Sequence, residues 1–355
     1  MPPDIAHDCF EGFAVDLISS VIVNFVRDKL LSLEEFNDRI ETFNYSEIDK
    51  QNKPQVTKIK PLTNYRVKQT ACEMWNLLRL LPFLIGDVIP DENPVWEVYI
   101  EFLDIIERIC APSFTTNDLI YLQQLTDEFF THYRDVFPAN VLKPKAHFLS
   151  HYPAMIARFG PLVKTLRFEA KNGYFKNVIQ LSKNRMNMCK TMAKRHQMLM
   201  FLDYKEKNLL DNKLPRGIFT QEVPLESLEK DAQNILKSRL SVSINELLVI
   251  GKAVVINGQR YSENEVVVLG FRNDEYIFGL IIYAIFYQSR VYLLCQMLDI
   301  LSFDTHYHAY DVSPNNNLEL TLIEDLLDYH PLGVYSLSDR KMVPLRHHIR
   351  NNDDT

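Results

Sequence analysis

Four histidines occur in pairs whose spacing suits metal chemistry. In "KAHFLSHYP", His147 and His151 are four residues apart and share one face if that stretch is helical. Such a pair holds zinc only when further ligands arrive from elsewhere. No Glu follows the first His, as an H-E-x-x-H metalloprotease site requires. In "DTHYHAYDV", His306 and His308 would project from one face of a strand, a half-site for a transition metal, with His330 downstream in "DYHPL". Asp304 and Asp311 are placed to orient those rings instead. For both pairs the bland reading, imidazoles packed and hydrogen-bonded, outweighs ligation. His347 and His348 sit in a polar C-terminus expected to fray and show no ligand pattern. No GxSxG, Walker A or dinucleotide fingerprint is present, and ten glycines in 355 residues leave few loops able to cradle phosphate. No small-molecule cofactor is indicated.

The other concentration of chemistry is charge. The chain has a formal net charge of −7, yet residues 143–216 carry 16 Lys and Arg against four Asp and Glu, a local +12 that leaves −19 elsewhere. Cations grouped on one face displace the counterions condensed on a polyanion, which is the source of nucleic-acid affinity. Arg167 with Lys171, and Lys190 with Lys194 beside Arg195, recur at the spacing that shares a helix face. Arg167, Lys171, Lys176, Lys183, Arg185, Lys190, Lys194 and Arg195 are therefore the candidate DNA-binding residues. Tyr174 and Phe175 could stack on bases if exposed, whereas Phe168, Phe175 and Ile179 read better as a core stripe. The competing expectation is that the basic surface docks on an acidic partner or on a second copy of the chain.

These residues need elements to hold them. Residues up to about 210 show helical periodicity, in "FAVDLISSVIVNFVRDKLL", "VKQTACEMWNLLRLLPFLIG", "VWEVYIEFLDIIERICA" and "LIYLQQLTDEFFTHYRDVF". Ser32 with Glu35 has the S-x-x-E pattern of a capping box, and Thr116 or Asn117 is placed to cap the fourth long helix. Residues 46–65 are a polar, proline-containing connection. Residues 66–215 form a helical domain in which prolines 144, 153 and 161 break the basic segment into short helices before longer ones. Residues 216–245 read as a linker. From about Leu247 the period changes to that of strands, with Asn257-Gly258 as a hairpin turn, so 246–349 is expected to be a small antiparallel barrel-like domain of short strands. The fold class is thus α+β: a mainly α-helical N-terminal region, then a β-rich domain.

Composition agrees with a packed protein, 46% hydrophobic and 24% charged. Five scattered cysteines give neither a disulfide framework nor a CxxC site, which suits a reducing compartment, nucleus or cytoplasm. "MPPDIAHDCF" lacks the apolar core of a secretory signal, and no membrane span is expected.

The order of segments resembles a known family. "PDIAHDCFEGFAVDLISSVI", "EMWNLLRLLPFLIGDVIP" with "NPVWEVYIEFLDIIERICAPSFT", "LKPKAHFLSHYPAMIARFGPLVKTLRFEAKNGYFK" with "CKTMAKRHQ", and the terminal "HYHAYDV" and "LIEDLLDYHPLGVY" look like the C-terminal half of CACTA-like (EnSpm-related) transposases of animal genomes. The resemblance implies that residues 1–45 are the end of an RNase-H-like catalytic domain. Glu11, in Asp4-Ile5-Ala6-His7-Asp8-Cys9-Phe10-Glu11-Gly12, then corresponds to the third catalytic carboxylate. Such carboxylates hold two Mg²⁺ ions about 3.5–4 Å apart. The two aspartates that would accompany Glu11 belong on strands before it, and ten residues precede it here. Lys164 stands where an aromatic is expected, and Asn172 where the family often has His, which argues against a ligand in the "RFEAK" segment. The expectation is a transposon-derived, non-catalytic chain with no cofactor of its own, Mg²⁺ belonging to intact relatives. It would keep DNA-binding and protein-interaction regions, with itself or a transposase-related protein as partner. A metal-dependent nuclease remains the alternative if the aspartates are supplied from elsewhere.

Overall fold

The structure, a computed structural model, describes residues 4–161, 165–182, 186–205, 216–217, 220–240, 247–256, 258–273 and 275–351. It is α+β, with helices in the N-terminal part and antiparallel sheet in the C-terminal part.

The helical part is built around one apolar rod. A π-helical stretch, Ala6–Phe13, runs directly into α1 (Ala14–Arg27). Phe10, Leu17, Ile18, Val21, Ile22 and Phe25 along it are fully buried. The run Ile5–Arg27 is long and apolar enough to cross a membrane by length and composition, but 67% of its most apolar window is buried inside the protein. Around it pack α2 (Leu33–Thr42), α3 (Ala71–Ile85), α4 (Pro94–Ile109), α5 (Thr116–Val136) and the short α6 (Pro144–Leu149) and α7 (Tyr152–Phe159). Burying these side chains removes the apolar surface that their spacing presents, at about 25 cal/mol per Å².

Local chemistry sets the helix ends. Thr70 with Glu73 and Thr115 with Asp118 form reciprocal capping boxes. The α5 cap is thus Thr115, not Thr116 or Asn117 as expected. Ser32 accepts from the Glu35 amide at 3.0 Å, while the Glu35 carboxylate turns to Arg39 instead of closing the box. Pro82 lies inside α3, which continues to Ile85. Two longer helices follow, α8 (Thr165–Ser182) and α9 (Met188–Lys205).

The region expected as a linker, 216–245, has structure of its own. It contributes β1 (Arg216–Gly217), β2 (Thr220–Pro224) and a helix over Lys230–Leu240. Leu225, Leu228, Ala232 and Leu236 bury against Leu248, Ile285, Leu294 and Leu320 of the sheet. Its one proline, Pro224, is exposed, and its mixed charge marks the solvent side of elements whose apolar side is covered.

The strands that follow are β3 (Leu247–Gly251), β4 (Ala253–Ile256), β5 (Gln259–Ser262), β6 (Val266–Arg272), β7 (Glu275–Tyr287), β8 (Arg290–Asp304), β9 (Ala309–Leu322), β10 (Asp328–Leu332), β11 (Tyr335–Leu337) and β12 (Arg340–Val343). The main sheet runs β10-β6-β7-β8-β9-β12-β11, with β2 and β3 joined to β7, and a small sheet pairs β1-β4-β5. The main sheet is open: β10 and β11 end the pairing order without meeting. β7, β8 and β9 are 13, 15 and 14 residues long, not short, and carry bulges at Ile281/Tyr283, Gln296/Leu298 and Ile300/Ser302 that bend them. In the β4–β5 hairpin Gly258 adopts φ +79°, a conformation that favours glycine; Asn257 lies outside the described residues.

Helices and sheet share a buried seam. Tyr45, Leu80 and Phe83 pack with Ala309, Tyr335 and Met342. Within it the Asp49 carboxylate takes Arg79 on one oxygen and the Tyr335 hydroxyl on the other.

Candidate functional site

The basic residues concentrate on the α8–α9 pair. Lys176, Lys190, Lys194 and Arg195 are all exposed, and among the described residues none of them is ion-paired. Arg167 and Lys171 fall within α8 with their side chains outside the described residues, and Lys183, Arg185 and Lys164 lie outside them altogether. The two helices meet through aromatics: the Phe175 ring stands edge-on to His196 at 5.4 Å, and Tyr174 is 6.0 Å from the same imidazole. Phe175 is therefore a packing residue inside the pair. α9 also exposes apolar groups: Met198 is 57% exposed and Phe201 62%.

Glu11 lies in the π-helical stretch, partly exposed, 3.8 Å from His7 Nε2. His7 in turn is 2.7 Å from Asp4. The Lys145 ammonium donates to the His7 carbonyl at 2.7 Å, so a cation sits beside this acidic patch. Among the described residues Glu11 joins no group of three ligands close enough to share an ion.

The histidine pairs separate. His147, on α6, and His151, just before α7, bring their Nε2 atoms to 3.0 Å on an exposed surface, with no third ligand among the described residues. His306 and His308 are not on a strand. They occupy the turn between β8 and β9, and His308 has φ 48°. The turn sends them to different partners. His306 Nε2 donates to the Gly86 carbonyl at 2.9 Å, and its own carbonyl accepts from Trp96 Nε1 at 3.0 Å. His308 pairs with Glu107 at 3.0 Å. Asp304 orients the turn rather than the rings, accepting from the His306 and Tyr307 amides, and with Asp311 it holds Arg340.

The structure assembles a different cluster. Asp328 and His330 lie two residues apart on β10, and His347 comes from the segment after β12. His330 Nδ1 is 3.0 Å from Asp328 Oδ1, and His347 Nε2 is 3.2 Å from Asp328 Oδ2. One donor atom from each lies within 4.8 Å of the other two, the only such trio among the described residues. Burial would raise the Asp328 carboxyl, but the two imidazoles outweigh it and hold the group far below the usual carboxylate range. His347 is 4% exposed, not frayed. Its neighbours Leu345 and Ile349 are apolar at the spacing that a buried extended tail uses, and that was the available signal.

The chain matches no known family model, no curated protein and no solved structure.

Proposed function

We propose that this protein is a transposon-derived, non-catalytic DNA-binding protein, with the α8–α9 pair as its nucleic-acid surface. The observation that carries this reading is the exposure of Lys176, Lys190, Lys194 and Arg195 on one pair of helices in an otherwise acidic chain. Affinity would come from phosphate contacts, which carry no sequence information of their own, and Phe175 is engaged with His196. The resemblance to CACTA-like transposases supports a DNA partner and a nuclear location. The non-catalytic part of the proposal is supported by Glu11, which lies 3.8 Å from His7 Nε2, with the Lys145 ammonium on the His7 carbonyl. The barrel-like character of the β-region belongs to the same proposal, supported by the bulges that curl β7, β8 and β9.

The test is a salt titration of DNA binding by the full chain. The expected log–log slope corresponds to several displaced ions, at roughly 0.9 per phosphate contacted. Joint substitution of Lys190, Lys194 and Arg195 by Glu is expected to abolish binding while leaving the unfolding midpoint unchanged. Unchanged affinity in that variant overturns the reading.

The exposed Met198, Met200, Phe201 and Leu202 favour a second reading, an assembly module that docks a second copy or a transposase-related partner. Replacing Met198 and Phe201 by Ser separates the two: self-association is lost under this reading, which expects no DNA binding, whereas under the first reading DNA binding is present and kept.

A further inference from the structure

We propose that Asp328, His330 and His347 form a binding site for a divalent transition-metal ion, with zinc as the ion that the donor set fits best. Two imidazole nitrogens and one carboxylate oxygen are the donors of many three-ligand zinc sites, at about 2.0–2.2 Å from the ion. Adjacent corners of such a tetrahedron are about 3.3 Å apart. The two contacts at Asp328 run to different oxygens, Oδ1 to His330 Nδ1 at 3.0 Å and Oδ2 to His347 Nε2 at 3.2 Å, and each is near the length of one such edge. One donor atom from each of the three residues lies within 4.8 Å of the other two, and the His330 ring is partly exposed.

The hydrogen bonding within the cluster is incomplete in a way that a cation completes. Asp328 Oδ1 accepts from the His330 amide at 3.1 Å and lies beside its Nδ1. Asp328 Oδ2 and His347 Nε2 face each other at 3.2 Å, yet neither makes a hydrogen bond. Both residues are only 4% exposed. The two atoms are close but not aligned for a hydrogen bond, and an ion placed between them takes a lone pair from each. The neighbouring charge is Arg346, whose guanidinium is turned onto the Trp75 ring at 5.2 Å and so stacks on α3.

The elements joined suggest what the ion would do. β10 is an edge strand, paired only with β6 among the described residues. The segment carrying His347 is held by Leu345 and Ile349 in the core formed with Val266, Val268 and Phe278. An ion shared between them pins the C-terminal segment to the sheet edge, so its binding free energy becomes folding free energy. Tyr329, half exposed and 4.0 Å from the His330 ring, marks the solvent side from which an ion enters.

The experiment uses the full chain, stripped with a chelator and titrated with zinc chloride while the thermal midpoint and the bound zinc are measured. Cobalt substitution supplies a second readout, the visible absorption of a tetrahedral nitrogen–oxygen site. The expected result is one zinc per chain, a midpoint that climbs with the logarithm of free zinc, and a cobalt band. His330→Ala, on the exposed rim, and Asp328→Asn, which keeps its shape, are expected to lose the midpoint shift and the band, while His151→Ala keeps both. Two results overturn the proposal. One is a wild-type chain that retains no zinc and shows no shift, which makes the trio a hydrogen-bonded cluster only. The other is binding lost in His151→Ala and retained in His330→Ala, which places the ion on the helical pair.

Discussion

The imidazole of His308 lies 3.0 Å from the carboxylate of Glu107, a contact that spans 201 residues of sequence and ties the β8–β9 turn to α4. The same helix residue accepts the His348 amide on its backbone carbonyl at 3.0 Å, so two points of the β-region anchor on Glu107.

This pair makes stability depend on pH in both directions. Burial opposes both charges, but the contact outweighs it, holding Glu107 below its usual value and His308 above its own. The His308 contribution is fully present below about pH 6.5, the unfolded value, and is lost as pH rises through the raised folded value. The Glu107 contribution is present above the unfolded carboxylate value and lost as pH falls through the lowered one. Denaturant unfolding between about pH 2 and pH 9 is expected to show both limbs. In His308→Gln the loss on the alkaline side should disappear; an unchanged alkaline limb means that another group carries it.

Asp49 and Arg79 are ion-paired with side chains 1% and 3% exposed, and Arg79 also donates to Asn76. Removing one partner leaves a buried charge alone. Arg79→Ala is expected to cost about 3–5 kcal/mol, read as a lower denaturant midpoint. Tyr335→Phe, which deletes only the hydroxyl on Asp49, should cost about 1–2 kcal/mol. Equal losses in the two variants would contradict this ranking.

Gly279, in the centre of β7, has no room for a side chain. A Cβ there would lie 2.8 Å from the Cys295 Cβ and 3.0 Å from Leu269 Cδ1. Gly279→Ala is expected to destabilise by about 1–3 kcal/mol through overpacking. The unfolding midpoint of that variant measures the effect, and restoration by a second substitution, Leu269→Ala, would locate it.

Thiol labelling reports on the same surfaces that the functional readings use. Cys189, at the start of α9, is exposed, whereas Cys9, Cys110 and Cys295 are buried. Burial pushes the Cys110 and Cys295 thiols up to about 12. A thiolate reagent should therefore modify Cys189 first and the buried three only on unfolding. Saturating DNA should slow Cys189 labelling several-fold if α9 is the contact surface.

The sequence by itself determined the helical periodicity, the change of period and the gathering of cations, because each depends on residues a few positions apart. "FAVDLISSVIVNFVRDKLL" has to bury its stripe whatever covers it, and Thr70 needs only Glu73 to close its box. The α+β class was legible for that reason. The tertiary structure alone decided which histidines meet. The spacing of His306 and His308 suggested a shared face, but a turn closed by Asp304 sends them to Gly86 and Glu107. His347, in a tail that reads as polar, is carried into the sheet by Leu345 and Ile349 and meets a carboxylate 19 positions earlier. The packing of β11, β12 and the tail on the sheet, not the spacing of the two residues along the chain, sets that distance, so no local pattern contains it.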